Sequence, residues 1–332
     1  MTASRIALAV AALCFALSGT TTAFAQATDA QSISEDIFGP RVPTDEAYGA
    51  FQRGYYLTAL SLALPRAQQG DAHAQTLIAE IYAKGLGVAE NVARASSWYA
   101  LASKNGDVMA SFELALLYQD GRGVPKNPQK AAELFKQAAD GGYMPAKYNL
   151  GLLYIQGTYV EPNLAKAAAL IKEAADSGLP EAQYDYGVML TEGSGVAPDD
   201  EAGAREIGLA AAQGLPTAQV EYATLLYLGH GIAENRAEAI NWYRKAAQAG
   251  NPVAQSRYAK LLAVGEGVDL DLQEAAMWRA LARRQGLTDA TLDKLLVSIP
   301  DDDLAKAEER ARYWPGQPPG ETATAEPLKQ TP

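Results

Sequence analysis

Residues 107–142 read DVMASFELALLYQDGRGVPKNPQKAAELFKQAADGG, and the same 36-residue pattern stands six times in succession from Asp71 to Gly286 without insertion or deletion. In register, the fourth column is Ala74, Ala110, Ala146, Ala182, Ala218 and Ala254, and the fifteenth is Gly85, Gly121, Gly157, Gly193, Gly229 and Gly265. Column 32 is alanine throughout, from Ala102 to Ala282, and every unit closes on a glycine, from Gly106 to Gly286. A fixed period of roughly 20–50 residues marks an architecture in which each unit is buried by its neighbours, so the repeat decides the fold before local propensity does.

Each unit reads as two helices. In 107–142, helix A spans about Met109–Gln119, a loop from Asp120 to Pro125 carries two glycines, and helix B runs from about Pro128 to Ala139. Pro128 suits a first turn, where its missing N–H would have had no partner. Small residues at columns 4, 9, 25, 32 and 33 let antiparallel helices approach, and large ones at columns 8, 12 and 28, such as Leu114, Tyr118 and Leu134, fill between them. The expected fold is all-α, a right-handed α/α solenoid of six helix-turn-helix repeats (71–106, 107–142, 143–178, 179–214, 215–250 and 251–286) with capping helices at its ends. Residues 45–70 read as a shortened hairpin broken near Gly54, the atypical first unit that a solenoid requires. Within 287–314, Ala290–Val297 and Asp303–Tyr313 read as closing helices. Asp301, Asp302 and Asp303 supply a start signal to the second through capping and the helix dipole.

The 332-residue chain is 48% hydrophobic and 20% charged, the composition of a folded protein, and its net charge of −11 argues against a nucleic-acid partner. Residues 1–25 carry Arg5, an apolar run from Ile6 to Leu17 and then Ala23-Phe24-Ala25, the pattern of a signal peptide cleaved after Ala25. The apolar run is short of the roughly 20 residues that a membrane span needs. The expectation is an exported, periplasmic or secreted protein with no membrane span once cleaved. Cys14, the single cysteine, falls inside that segment. Residues 26–44 read as a disordered linker and 315–332, beginning Pro-Gly-Gln-Pro-Pro-Gly, as a disordered tail.

The pattern A-x-x-x-L-G/A-x-x-Y-x-x-G-x-G-V, followed by K-A-x-x-[W/L]-[Y/F/I] and K-A-A-x-x-G, resembles the Sel1-like repeat family, relatives of the tetratricopeptide repeats. Ala110–Gly142 and Ala218–Gly250 match it best. The resemblance implies an α/α solenoid that acts as a protein-binding scaffold, often exported in bacteria. Two departures stand out: Tyr159 replaces the second loop glycine of unit three, and Glu206 stands where units one, five and six have Trp98, Trp242 and Trp278. Unit four is therefore expected to pack less well.

Chemistry finds little purchase. The Gly-x-Gly loops follow helices rather than strands and recur every 36 residues, so they read as turn glycines and not as phosphate cradles. His73 and His230 stand in different columns and units, which gives no metal site, and no cofactor is implied. Some Sel1-like proteins with paired cysteines are associated with penicillin binding or β-lactamase activity. This chain lacks those cysteines and any S-x-x-K, so a penicillin-interacting envelope hydrolase is the weaker alternative to a scaffold without enzymatic activity.

The sharper signal is a second apolar stripe on helix A, at columns 6, 10 and 13: Phe112, Leu116, Tyr148, Leu152, Ile155, Tyr184 and Val188, with Tyr227 continuing the line. In the related tetratricopeptide repeats this face lines the concave groove, and an aromatic-bearing strip there suits a peptide or protein partner. The competing reading is that these side chains pack on the next helix. The end units turn polar at these columns, with Thr76, Glu80, Ser256 and Lys260, which places the expected groove in units two to four. Leu152→Glu with Tyr148→Ala is expected to abolish pull-down of the partner while the circular-dichroism melt stays nearly unchanged; a collapsed melt would make these residues core and count against the groove.

Overall fold

The structure, a computed structural model, describes residues 45–157 and 159–316. The segments expected as a signal peptide with Cys14, as a linker over 26–44 and as a tail, the last from residue 317 onward, lie outside the described residues. Within the described residues the fold is all-α, of the α/α solenoid class, with sixteen helices and no strand. They form two compact units, one ending at Ala95 and one beginning at Ser96.

The first unit contains α1 (Glu46–Gln52), α2 (Tyr56–Gln68), α3 (Ala72–Lys84) and the start of α4 (Val92–Lys104). The α1–α2 turn passes through Gly54 at φ +79°, and Tyr55 N–H closes it on the Ala50 carbonyl at 2.9 Å. Arg66 then ties the hairpin to the first full repeat, reaching Asp45 and Asp71, each at 2.7 Å.

The second unit continues in helices of 13 residues: α5 (Val108–Asp120), α6 (Pro128–Asp140), α7 (Met144–Gln156), α8 (Leu164–Asp176), α9 (Pro180–Glu192), α10 (Asp200–Ala212), α11 (Pro216–Leu228), α12 (Arg236–Gln248), α13 (Pro252–Val264) and α14 (Leu272–Arg284). Each packs on its neighbours in the chain, and α15 (Ala290–Leu295) and α16 (Asp301–Tyr313) cover the last pair. Leu292, Leu296, Ala307 and Ala311 join the core of repeats five and six, and Trp314 meets Trp278 edge-on at 4.8 Å.

The uniform helix length has a local cause at both ends. Helix A stops where the fifteenth-column glycine takes a left-handed φ of +64° to +75°, which costs glycine little. Helix B starts at column 21, an Asn or Asp in every repeat, which the helix-start reading above passed over. The backbone N–H of Asn127 donates to the Tyr118 carbonyl of helix A at 2.8 Å, and its side chain caps helix B on Lys130 N–H at 3.0 Å. Asn163, Asp199, Asn235 and Asp271 repeat both bonds. One residue thus spaces helix A from helix B and satisfies an N–H that would otherwise lack a partner.

Several expectations need correction. Column 29, not column 28 alone, carries the helix-B core: Phe135, Ile171 and Ile207 are each at most 1% exposed. In unit four the centre of helix B is filled by Ile207, next to Glu206. A Cβ at Gly151 or Gly187 would come within 2.6 Å of Ile171 or Ile207, so glycine at column 9 accompanies the branched side chain at column 29. At the closing helix, Pro300 occupies the cap position and makes no side-chain cap bond; Asp301, Asp302 and Asp303 sit in the first turn and act through the helix dipole only.

A buried glutamine at column 5 bonds the end of helix B, as Gln183 does to Ala175, Gln219 to Ala211 and Gln255 to Ala247. Column 35 then supplies a donor to that glutamine: Gln213 to Gln183 at 2.6 Å and Gln285 to Gln255 at 3.3 Å. Repeat five has Ala249 there, and the buried Gln219 Oε1 is left without a donor. The Ala249 backbone, at φ −72° and ψ 0°, matches that of Gln213 at φ −76° and ψ −3°. Ala249→Gln is therefore expected to stabilise the protein by about 0.5–1.5 kcal/mol in urea unfolding, and a loss of stability would refute this reading.

The second loop glycine spaces consecutive repeats. A Cβ on Gly195 would overlap the Leu164 carbonyl at the start of the preceding helix B, whereas one on Gly214 would meet nothing within 4 Å, although both glycines have positive φ. Gly195→Ala is expected to cost roughly 2–5 kcal/mol, steric overlap adding to backbone strain, against about 1–2 kcal/mol for Gly214→Ala. Equal losses in a denaturant series would mean that backbone strain alone matters.

Candidate functional site

Helix A of repeats two to four turns columns 4, 8, 9 and 12 inward, leaving columns 6, 7, 10 and 13 along its other side; in repeats one, five and six column 6 is buried, at Thr76, Val220 and Ser256. The predicted stripe residues lie there, and seven of the eight are half-buried; Ile155 is 40% exposed. Phe112 packs between Phe135 of its own helix B, with ring centroids 5.6 Å apart, and Tyr143 of the next repeat, at 5.2 Å. Tyr148 and Leu152 lie against the buried cluster that includes Ile171 and Met189. Tyr184 and Val188 meet the cluster formed by Ala204, Ile207 and Leu225. Leu116 is half-buried, and Tyr227 closes the line against the core of repeats five and six.

The ring bodies are therefore inter-repeat packing and only their outer edges face away from it. The expected insensitivity of the melt to Leu152→Glu with Tyr148→Ala is corrected accordingly: that pair leaves a gap beside Ile171, and the melt is expected to fall whether or not a partner binds.

Column 7 sets the charge of this side. It runs Glu113, Asn149, Asp185 and Glu221 through repeats two to five and becomes Arg257 in repeat six. Tyr148 donates its hydroxyl to Asp185 at 2.8 Å, linking column 6 of one repeat to column 7 of the next. Burial, then the Asp185 charge, push the Tyr148 hydroxyl well above its usual range and keep it a donor. Burial also pushes the Asp185 carboxyl up, against the lowering effect of that bond. For Tyr184, burial acts first and the carboxylates of Glu221, Asp185 and Glu192 add to it. The middle of the stripe is an aromatic strip among carboxylates.

At the far end of this side, beyond the predicted groove, the sequence reading missed a cleft of about 330 Å³. Tyr227, Tyr243, Arg257, Lys260, Leu261, Val264, Glu266 and Leu295 line it. Lys260 comes from one of the polar columns that signalled the groove's end, Arg257 from column 7, and Leu295 from α15, which the 36-residue register does not include. Lys260 pairs with Asp289 at 2.8 Å. Burial pushes the Asp289 carboxyl up, but bonds from Lys260, Ser256 and the Leu292 N–H outweigh it and hold the group at about 2.

Of the two histidines, His230 lies 3.3 Å from Asp200. Among the described residues no group of three or more histidine, cysteine or carboxylate side chains could hold a metal ion, and no helix is long and apolar enough to cross a membrane.

A scan against protein families matches the Sel1 repeat over residues 72–107, 108–143, 145–179, 180–214, 216–251 and 252–287. Among solved structures, a Sel1 repeat protein from Oxalobacter formigenes is 27% identical, with a TM-score of 0.65, over 72% of this chain and 98% of that one. The protein c5321, a protective antigen of uropathogenic Escherichia coli, is 25% identical at the same TM-score; the alignment takes in 77% of this chain but only 58% of that one. No curated protein matches the chain. Six matched repeats in unbroken series, over about two thirds of the sequence, mean that the chain belongs to the Sel1 repeat family.

Proposed function

We propose that this protein is an exported scaffold that binds a partner protein or peptide on the helix-A side of repeats two to four, serves envelope regulation or assembly, and performs no chemistry of its own. Sel1 repeat solenoids are commonly protein-interaction scaffolds. The observation that carries the reading is the half-buried strip from Phe112 to Val188. Its side chains are already ordered by inter-repeat packing, so little conformational entropy is lost when their edges are covered. Aromatic edges held rigidly are the usual anchors of protein interfaces. The leader-like pattern of residues 1–25 supports export.

The test is site-specific photocrosslinking in the native host, with a benzophenone amino acid at Ile155 or Leu116 on the strip and at the exposed helix-B positions Lys136 and Lys172. The expected result is an adduct of one size from both strip positions and none from the helix-B positions. No adduct from the strip, or equal adducts from all four, would overturn the proposal.

A further inference from the structure

The cleft between repeats five and six has an internal charge arrangement that packing does not explain. Its Lys260 is paired with Asp289, and its Glu266 with Arg236 at 3.0 Å. Arg257 is different, for among the described residues no carboxylate pairs with it. One terminal nitrogen, Nη1, donates to the hydroxyls of Thr224 and Tyr243, the latter at 3.3 Å, and the guanidinium carbon stands 5.7 Å from the Tyr243 ring centroid. Those contacts fix the group's position while leaving its Nε and Nη2 donors, the two parallel N–H groups of a guanidinium edge, for an acceptor from outside.

We propose that this cleft binds a ligand carboxylate on the Nε–Nη2 edge of Arg257, with an apolar group of the ligand against Leu261, Val264 and Leu295. A parallel pair of donors matches the two oxygens of a carboxylate, and a guanidinium already held in place loses little freedom on binding. The space of about 330 Å³ suits an apolar group of amino-acid size. Glu266 on the wall disfavours ligands of higher negative charge. The same chemistry is offered by a free apolar acid and by the C-terminal residue of a peptide chain. The site lies outside the strip of repeats two to four and stands or falls independently of it.

The experiment is isothermal titration calorimetry on the full folded chain with four probes: N-acetyl-leucine, its amide, the peptide acetyl-Gly-Gly-Ser-Leu with a free carboxylate, and the same peptide amidated. Binding of the two acids with at least tenfold weaker binding of the two amides is expected. A peptide acid that binds clearly tighter than N-acetyl-leucine identifies a chain end as the ligand, and equal affinities identify a free acid. Arg257→Gln should weaken acid binding at least tenfold. Because Arg257 also bonds Thr224 and Tyr243, Val264→Glu provides a second variant: Val264 is 48% exposed, and a carboxylate there should repel the acids without disturbing the core. No binding of either acid at millimolar concentration, equal binding of acids and amides, or unchanged affinity in a folded variant would overturn the assignment.

Discussion

Each repeat in the middle of the chain is coupled to the next by the side chain at its sixth column. Phe112 touches Phe135 beneath it and Tyr143 ahead of it; Tyr148 packs beside Ile171 and Met189 and bonds Asp185 of the following helix A; Tyr184 joins the clusters around Ile207 and Ala218. An α-helical pair of this size has too little apolar surface to stand alone, so contacts of this kind are where the stability of a repeat protein resides. The same contacts decide what the helix-A side can do. A side chain wedged between neighbours is rigid, and what it leaves exposed is an edge in a fixed position.

Around that coupling, the backbone devices act as spacers. The column 21 residue closes the interval between helix A and helix B with one backbone bond and one side-chain cap, and the second loop glycine lets the next repeat approach the start of the previous helix B. Tyr159, at φ +64°, adopts the conformation of the glycines it replaces and is the one non-glycine residue with positive φ among those described. The spacing of the repeats is therefore kept even where the loop sequence departs from it.

Periodicity made the fold legible: alanine and glycine columns recur because helix contact and left-handed turns leave no other choice at those positions. The caps at column 21 were equally visible as Asn or Asp in all six units, yet a proline at the helix start drew the reading away from them. The stripe on helix A was legible as residues but not as a role, because i, i+4 and i+7 spacing places side chains on one side of a helix without saying what covers that side. Phe112, Tyr148 and Tyr184 pack between repeats by their ring bodies, and the proposed recognition rests on the edges that this packing leaves exposed. The cleft at Arg257 was out of reach, since it needs Leu295 from a helix outside the repeat register and hydroxyls from two different helices of the preceding repeat.

The central claim is that the column 6 side chains join neighbouring repeats while their edges form the recognition strip, and hydrogen exchange read helix by helix tests its structural half directly. Comparing the wild type with Tyr148→Ala, the account predicts lost amide protection in α7, α8 and α9, the helices that this ring joins, with α13 and α14 unchanged. Protection retained in α9, or lost equally throughout the array, would contradict it.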